Sequence, residues 1–265
     1  MSTQIAAQMY TLREHCETPA DIAKSCEKLK AMGFGAIQGS AAGFNTIATG
    51  ELRQILDDTG MVCAATHRSF DQLKDHAAEI DYHAALGCKY TALGGWGWGG
   101  NETEAEWSAF IDDFSALAAA YEGSPVKIGY HNHSHEFAPF GLADSPATIS
   151  PESTPYTVLE EKLGPAAFFE VDTYWIAHGG ADPAAWLKRL AGRVPAIHMK
   201  DMTVTAGREH KMCEVGAGNL NWPAILEAAR AAGVEWYIIE RDAGDLDPFD
   251  SLKISLENMQ SWGLS

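Results

Sequence analysis

Residues 129–137, which read GYHNHSHEF, concentrate groups that bind metals and carry protons. Three histidines, Asn132 and Glu136 fall within six consecutive positions, directly after the apolar residues VKI. Imidazole and carboxylate groups ligate divalent cations and exchange protons near neutral pH. The segment is therefore either a polar loop that happens to be rich in histidine, or one wall of a site that handles a metal ion or a proton.

The elements that must position this segment alternate between short β-rich runs and longer helical patterns. The runs predict strands at 4–12, 34–40, 61–70, 88–96, 126–133, 166–175, 194–201 and 235–242. The helical patterns that follow them lie at 18–33, 46–60, 72–87, 103–123, 156–163, 182–193, 222–233 and 247–263. This alternation indicates parallel strands joined by right-handed crossovers. Eight such units in 265 residues match a closed (β/α)8 barrel of the α/β class.

An open, doubly wound sheet is the alternative architecture. It would place a glycine-rich phosphate turn after the first strand, where the sequence is QMYTLRE and contains no G-x-G-x-x-G. The barrel is therefore the preferred prediction, and it gathers the C-terminal ends of its strands at one mouth. Because no linker divides the chain, we expect one domain over residues 1–265.

Polar or ionisable residues stand at seven of the eight predicted strand ends. Besides the segment that begins at His131, they include Gln38, His67, Asp172, His198 and Glu240. Unpaired charges are too costly to bury, so groups aimed at one mouth need a shared partner. A divalent cation fits carboxylates and neutral imidazoles. The five cysteines stand beside none of these residues, so the thiolate pattern of structural zinc is missing.

The overall composition narrows the classes of partner. Acidic residues outnumber basic ones by 36 to 19 and the net charge is −17, so neither nucleic acid nor an anionic membrane is expected to bind. Five scattered cysteines without a CxxC motif suit a reducing compartment. With no leader pattern and no apolar run of about 18 residues, we expect a cytoplasmic protein. The alanine-rich helix faces are compatible with a homo-oligomer.

Four motifs stand in order at the ends of the last four predicted strands: YHNHSHEF, EVDTYW, IHMKD and YIIERD. In that order they resemble the xylose-isomerase-like TIM barrel superfamily. This superfamily includes sugar phosphate isomerases and epimerases, ketose 3-epimerases, inosose dehydratases and endonuclease IV. Each motif alone is weak, but the ordered set is fairly specific, and the resemblance extends over nearly the whole chain. It implies a metal-dependent isomerase or epimerase whose substrate is a small sugar.

The resemblance also implies one divalent ion (Mn, Mg, Co, Fe or Zn) with four ligands, Glu136, Asp172, His198 and Glu240. The ligand from the fifth strand stays open at this point. Glu136 is the only glutamate near that strand end, but it lies beyond YHNHSH, and His131 or His133 could take its place. Glu170 shares the pleat face of Asp172 and is either a buried structural acid or a rival ligand.

A mechanism is implied as well, in which Glu136 and Glu240 flank the substrate. One carboxylate removes a proton from the carbon beside a polarised carbonyl of a keto sugar, and the other returns it to the enediolate. The residues implied in binding hydroxyls or shuttling protons are His67, His131, His133, His178 and Lys200. The loop GGWGWGGN (94–101), together with Trp175, would stack on the apolar face of a sugar ring.

Three other functions remain open from the sequence. A lyase acting on an inosose or a 3-keto-glycoside would begin with the same proton abstraction and then expel a leaving group. An endonuclease would need further ligands for a three-metal cluster and a basic rim, against which the net charge of −17 argues. A non-catalytic protein would only bind the sugar. VGAGN (215–219) has few basic neighbours, so a non-phosphorylated sugar is favoured.

Overall fold

Eight parallel strands close into a barrel in the computed structural model, which describes residues 4–100, 102–140 and 153–265. The barrel strands are β1 Ile5–Gln8, β2 Ala36–Gly39, β3 Val62–His67, β4 Tyr90–Leu93, β5 Lys127–His131, β6 Ala167–Asp172, β7 Ala196–Met199 and β10 Trp236–Ile239. The ring closes because β1 pairs with β2 on one side and with β10 on the other. The predicted (β/α)8 barrel is confirmed, and the open sheet is excluded.

Helices cover the outside of the barrel: α1 Pro19–Met32, α2 Ala42–Thr46, α3 Thr49–Thr59, α4 Phe70–Leu73, α5 His76–Leu86, α6 Glu104–Ala120, α7 Pro155–Lys162, α8 Thr173–His178, α9 Pro183–Arg189, α10 Trp222–Ala232 and α11 Pro248–Ser261. Local sequence sets their ends. In α1, for example, Thr18 and Asp21 form a capping box, and Gly33 ends the helix with a φ of 107°. The short helices α2, α4 and α8 were not predicted, and most of the Pro/Ser-rich stretch 139–155 lies outside the described residues.

An antiparallel hairpin follows β7, formed by β8 Asp201–Val204 and β9 His210–Cys213. The sequence prediction of a polar loop over 202–220 is wrong for this part. Most residues of the hairpin are exposed or half-buried, and its strands show no hydrophobic alternation from which they could be predicted. The base of the hairpin is stabilised by the carboxylate of Asp201. This carboxylate accepts hydrogen bonds from the backbone N–H groups of Gly216 and Gly218 and from Trp222 Nε1, at 2.9, 3.0 and 2.6 Å.

The inside of the barrel changes from apolar to polar along the strands. Near the N-terminal ends of the strands, small and aromatic side chains fill it, among them Ala6, Ala36, Phe168, Ala196 and Ile238. Alternate residues of a strand face the same side. Two positions further along the same five strands stand Gln8, Gln38, Glu170, His198 and Glu240. The strand period therefore delivers a polar layer to the C-terminal mouth.

Gly129 on β5 shows how tightly the apolar layer is packed. A Cβ at this position would lie 2.3 Å from the ring of Phe168 on the neighbouring strand. The glycine therefore makes room for that ring, and His131, two residues later, faces the mouth. Within the described ranges, no helix is both long and apolar enough to cross a membrane.

Candidate metal centre

Four side chains from neighbouring strands meet at the mouth: His131, Asp172, His198 and Glu240. All four are buried, and their candidate ligand atoms lie within 4.8 Å of one another. Strand register explains the meeting, because Asp172 on β6 lies directly beside His198 on β7. Glu240, which follows β10, places Oε2 2.7 Å from His198 Nδ1. We call these four residues the mouth group.

The donor atoms of the mouth group fit a divalent cation. Asp172 uses Oδ1 to accept the backbone N–H of Trp175 at 2.9 Å and so caps α8, whereas its buried Oδ2 has no hydrogen-bond partner. The nearest cation to Oδ2 is the Lys200 ammonium, 3.3 Å away, and His131 Nε2 lies at 3.8 Å. Two carboxylates and two imidazoles are a ligand set that binds zinc and similar divalent ions. The group could therefore hold a metal ion.

Glu170 lies directly beside His131 in the strand register and contacts the imidazoles of the site. Its carboxylate accepts a hydrogen bond from Gln38 Nε2 at 2.8 Å and lies 2.5 Å from His67 Nε2 and 3.2 Å from His198 Nε2. With His67, His131 and His198 it forms a second group of potential ligands that shares two members with the mouth group. Because Glu170 already has several partners inside the barrel, its geometry agrees better with the structural acid than with the rival ligand.

Burial and close charges act on the pKa values in opposite directions. Burial alone would lower the pKa of His198, but Glu170 and Glu240 outweigh it and raise this pKa to about 10. Burial raises the pKa of Asp172 to about 7, although Lys200 and His198 oppose the shift. For His131, burial and the neighbouring His198 lower the pKa to about 3.

Lys200 is a buried ammonium group among three carboxylates at the mouth. Its Nζ lies 2.8 Å from Asp242 Oδ2, 3.0 Å from Glu240 Oε2 and 3.3 Å from Asp172 Oδ2. Burial would raise the pKa of Glu240, but Lys200 and His198 hold it well below its usual range. Glu240 is therefore ionised at neutral pH. Asp242 was not assigned from the sequence, although it stands two residues after Glu240 in ERD.

A cavity of about 350 Å³ opens above these groups. Its lining residues are Tyr10, Ser40, His67, Gly94, Trp98, His131, His133, Lys200, Glu240 and Asp242. A second cavity of about 410 Å³ lies at the opposite end of the barrel, near Phe168 and Arg193, and contains none of the mouth group. The chemical groups and the smaller cavity coincide, so the mouth is the candidate site.

Most side chains assigned from the sequence meet at this mouth. His67, His131, His133, Lys200 and Glu240 line the cavity, while Asp172 and His198 lie beneath it. Trp175 stands beside the cavity, with its ring centroid 5.2 Å from that of His133. His178 lies outside the cavity lining, where its ring packs against Tyr174 at 5.6 Å.

Glu136 is the exception among the predicted ligands. The 3-10 helix His135–Phe137 turns its carboxylate away from the mouth, into the wall behind β5. There Oε1 accepts a hydrogen bond from the Tyr130 hydroxyl at 2.8 Å, and Oε2 accepts the backbone N–H of His133 at 2.9 Å. Neither ligand group found among the described residues includes Glu136. His131, the alternative that the sequence left open on the same strand, belongs to both groups.

The fold agrees with the comparison to known families. The family model described as xylose isomerase-like TIM barrel matches residues 26–262. The chain therefore belongs to the xylose isomerase-like TIM barrel family. None of the curated proteins matches the chain at a significant level.

Solved structures of similar shape come from sugar-converting enzymes and their relatives. A sugar phosphate isomerase/epimerase from Parabacteroides distasonis ATCC 8503 has a TM-score of 0.79 and 21% identity, with 98% of each chain covered. The D-allulose 3-epimerase from Methylomonas sp., in complex with D-allulose, has a TM-score of 0.70 and 14% identity, over 98% of this chain and 96% of that one. The IOLI protein with a bound zinc atom has a TM-score of 0.70 and 12% identity, over 98% and 97%. At these identities the likeness shows the shared fold.

Proposed function

We propose that the protein is a divalent-metal-dependent isomerase or epimerase of a keto sugar. The observation that carries the proposal is the mouth group, in which the buried Asp172 Oδ2 lacks a hydrogen-bond partner and of which His131 and Glu240 line a cavity of about 350 Å³. A sugar-binding protein would have no need for a buried set of ligands at this point. The D-allulose complex and the zinc-containing neighbour support the sugar and the metal, respectively.

The proposed ligands are His131, Asp172, His198 and Glu240, with His131 in the place that the sequence assigned to Glu136. A bound divalent cation would supply Lewis acidity, polarising a carbonyl of the sugar and stabilising negative charge on its oxygen. The two imidazoles favour zinc or cobalt over magnesium, which prefers oxygen ligands, whereas the two carboxylates also suit manganese. The chain's own residues supply the proton transfers.

Glu240 is the proposed base. Its carboxylate lines the cavity and is ionised at neutral pH, because Lys200 and His198 hold its pKa low. It would take the proton from the carbon beside the carbonyl and leave an enediolate. With Glu136 in the wall, we assign the return of the proton to His67, which borders the same cavity and whose Nε2 is held by Glu170 at 2.5 Å.

Lys200 and Asp242 would orient the substrate. The Lys200 ammonium donates to Asp242 at 2.8 Å, and both residues line the cavity, where they can bind sugar hydroxyls. If the enediolate instead expelled a leaving group, the same residues would serve a lyase acting on an inosose or a 3-keto-glycoside. The non-phosphorylated substrate stays a prediction, and within the described part of the chain Lys200 is the only Lys or Arg that lines the cavity.

The test combines metal content with proton exchange. Protein loaded with Zn or Mn is analysed for metal and then incubated in D2O with a panel of keto sugars, including D-fructose, D-allulose and L-ribulose. We expect about one metal per chain and deuterium at the carbon next to the carbonyl, with formation of a stereoisomer. The surface variant Asp112→Asn is the control and should behave like the wild type.

Two results would change the assignment. Loss of a hydroxyl or an aglycone, without a stereoisomer, would replace the isomerase by the lyase. A wild type that takes up no metal after loading would contradict the proposal, and the sugar-binding function would then be preferred.

A further inference from the structure

Trp98 is the most exposed large apolar side chain in the described part of the chain, with 65% of its surface accessible. Single exposed apolar residues are common and need no explanation by themselves. The location of Trp98 is what matters, because its indole borders the same cavity as Lys200 and Glu240. An apolar ring at the rim of a polar site is a surface on which a sugar ring can stack.

A row of aromatic rings leads from the mouth group to Trp98. The ring centroids of His198 and His131 lie 4.3 Å apart, those of His131 and His133 4.9 Å, and those of His133 and Trp98 4.7 Å. The row runs from the buried His198 and His131 to the exposed Trp98, so the indole lies at its outer end. A sugar that reacts beside His131 and Glu240 would therefore end before Trp98, and the indole would contact whatever is attached to that sugar.

Trp96, two residues before Trp98, anchors the loop that carries Trp98. Trp96 is stacked on Phe110, with the ring centroids 4.5 Å apart and the planes at 6°. Its backbone N–H donates to the Tyr130 hydroxyl at 3.0 Å, and its carbonyl oxygen lies 2.6 Å from His135 Nε2. The loop therefore packs the half-buried Trp96 against the core as an anchor and presents Trp98 to the cavity. A ring held in place before binding loses little freedom when a ligand stacks on it.

A second aromatic ring borders the cavity on another side. Tyr10, which follows β1, is 41% exposed and lines the cavity, and the guanidinium group of Arg13 lies 4.8 Å from its ring centroid. Trp98 follows β4, three strands away in the ring of the barrel. The entrance is thus framed by two exposed aromatic rings, while the charged groups lie deeper.

We infer that Trp98 forms an outer subsite that stacks on a second, uncharged ring, so that a sugar carrying such a ring as a glycoside is bound in preference to a free monosaccharide. The inference rests on the proposed function, because it takes the reacting sugar to lie beside the mouth group. The second ring is uncharged because, among the described residues that line the cavity, Lys200 is the only Lys or Arg, and it already forms ion pairs with three carboxylates.

Binding without turnover tests the subsite. The zinc-loaded full chain is titrated by calorimetry with glucose, methyl β-D-glucopyranoside, cellobiose, maltose and trehalose. We expect at least one disaccharide to bind more tightly than both single-ring probes. Trp98→Ala should reduce the ratio of disaccharide to monosaccharide affinity about tenfold, and Trp98→Phe, which keeps a ring, by less. Ile254→Ala, which removes an exposed apolar side chain on α11, should leave the ratio unchanged.

Two results would overturn the inference. One is a wild type that binds no disaccharide more tightly than the single-ring probes, or binds none at all. The other is a Trp98→Ala variant with an unchanged affinity ratio. If either result were found together with proton exchange on free keto sugars, the proposed function would be retained and the outer subsite would be rejected. If the ratio of disaccharide to monosaccharide affinity depended on Trp98 but no proton exchange were detected, the proposed function would be contradicted and the outer subsite would be retained.

Discussion

Two buried aspartates at the C-terminal side of the barrel have opposite surroundings. In the region around Asp201, the carboxylate accepts hydrogen bonds from Met202, Gly216, Gly218 and Trp222. In the region around Asp172, one oxygen caps α8 and the other has no hydrogen-bond partner. A buried carboxylate without partners is unfavourable unless a ligand compensates for it. The carboxylate of Asp201 is saturated with hydrogen bonds from its own chain, whereas one oxygen of Asp172 accepts no hydrogen bond.

Replacing Asp172 by asparagine should give the largest effect. The amide oxygen can still cap α8 by accepting the N–H of Trp175, but the ligand oxygen is lost. We expect the variant to fold, to lose its metal and to lose about a thousandfold in kcat/KM. Metal analysis, thermal unfolding and proton exchange would be measured on the same preparation. A variant that keeps one metal per chain would remove Asp172 from the ligand set.

Replacing Asp201 by alanine should give the opposite result. Several backbone N–H groups and the indole N–H of Trp222 would lose their acceptor, so we expect the free energy of unfolding to fall by about 3 kcal/mol. Metal content of the folded variant should stay at the wild-type level. Urea denaturation and elemental analysis check the two statements. If the metal were lost with the folded state intact, the two regions would not be independent.

Glu136→Gln distinguishes the ligand predicted from the sequence from the wall residue seen in the structure. Glutamine keeps one acceptor but turns an amide N–H2 group towards either Tyr130 or the N–H of His133. We expect about 1–2 kcal/mol of destabilisation with the metal retained. Metal content and the free energy of unfolding in urea are measured on the variant and the wild type. Loss of the metal in the variant would mean that Glu136 is a ligand.

His83 should have a smaller, pH-dependent effect on stability. Like Asp201, it is a buried polar residue whose hydrogen-bond partners come from the chain itself. Its ring nitrogens contact the Glu79 carbonyl at 2.7 Å and the Thr66 hydroxyl at 2.8 Å, and burial lowers its pKa. A pKa below the unfolded value means that protonation favours unfolding. The contribution is therefore fully present above about pH 6.5 and is lost as the pH falls, by at most about 1.4 kcal/mol per pH unit.

Urea denaturation of the wild type and His83→Gln between about pH 5 and pH 8 measures this contribution as a difference. The variant should show the weaker loss of stability on acidification. Equal slopes for the two proteins would mean that His83 is not held neutral in the folded state.

The sequence predicts the barrel and three members of the mouth group because both depend on the two-residue period of strands. Asp172, His198 and Glu240 stand at or directly after strand ends, where that period decides the direction of a side chain. Glu136 lies beyond the strand, in a 3-10 turn that follows no such period. EVD and MKD also look alike as sequence, although Asp172 Oδ2 accepts no hydrogen bond, whereas both oxygens of Asp201 accept several. That difference depends on distant N–H groups, which local patterns do not reveal.

Closure of the barrel between β1 and β10 has a consequence for synthesis on the ribosome. Residues of β1 emerge first, but their second neighbour, β10, emerges last. Until then the nascent chain has two unpaired strand edges, on β1 and β7, which are open to association with other chains. Glu240 also arrives only with this final strand. The sheet therefore closes at the same step at which the set of metal ligands becomes complete. A cation bound to all of these ligands cannot guide the early stages of folding.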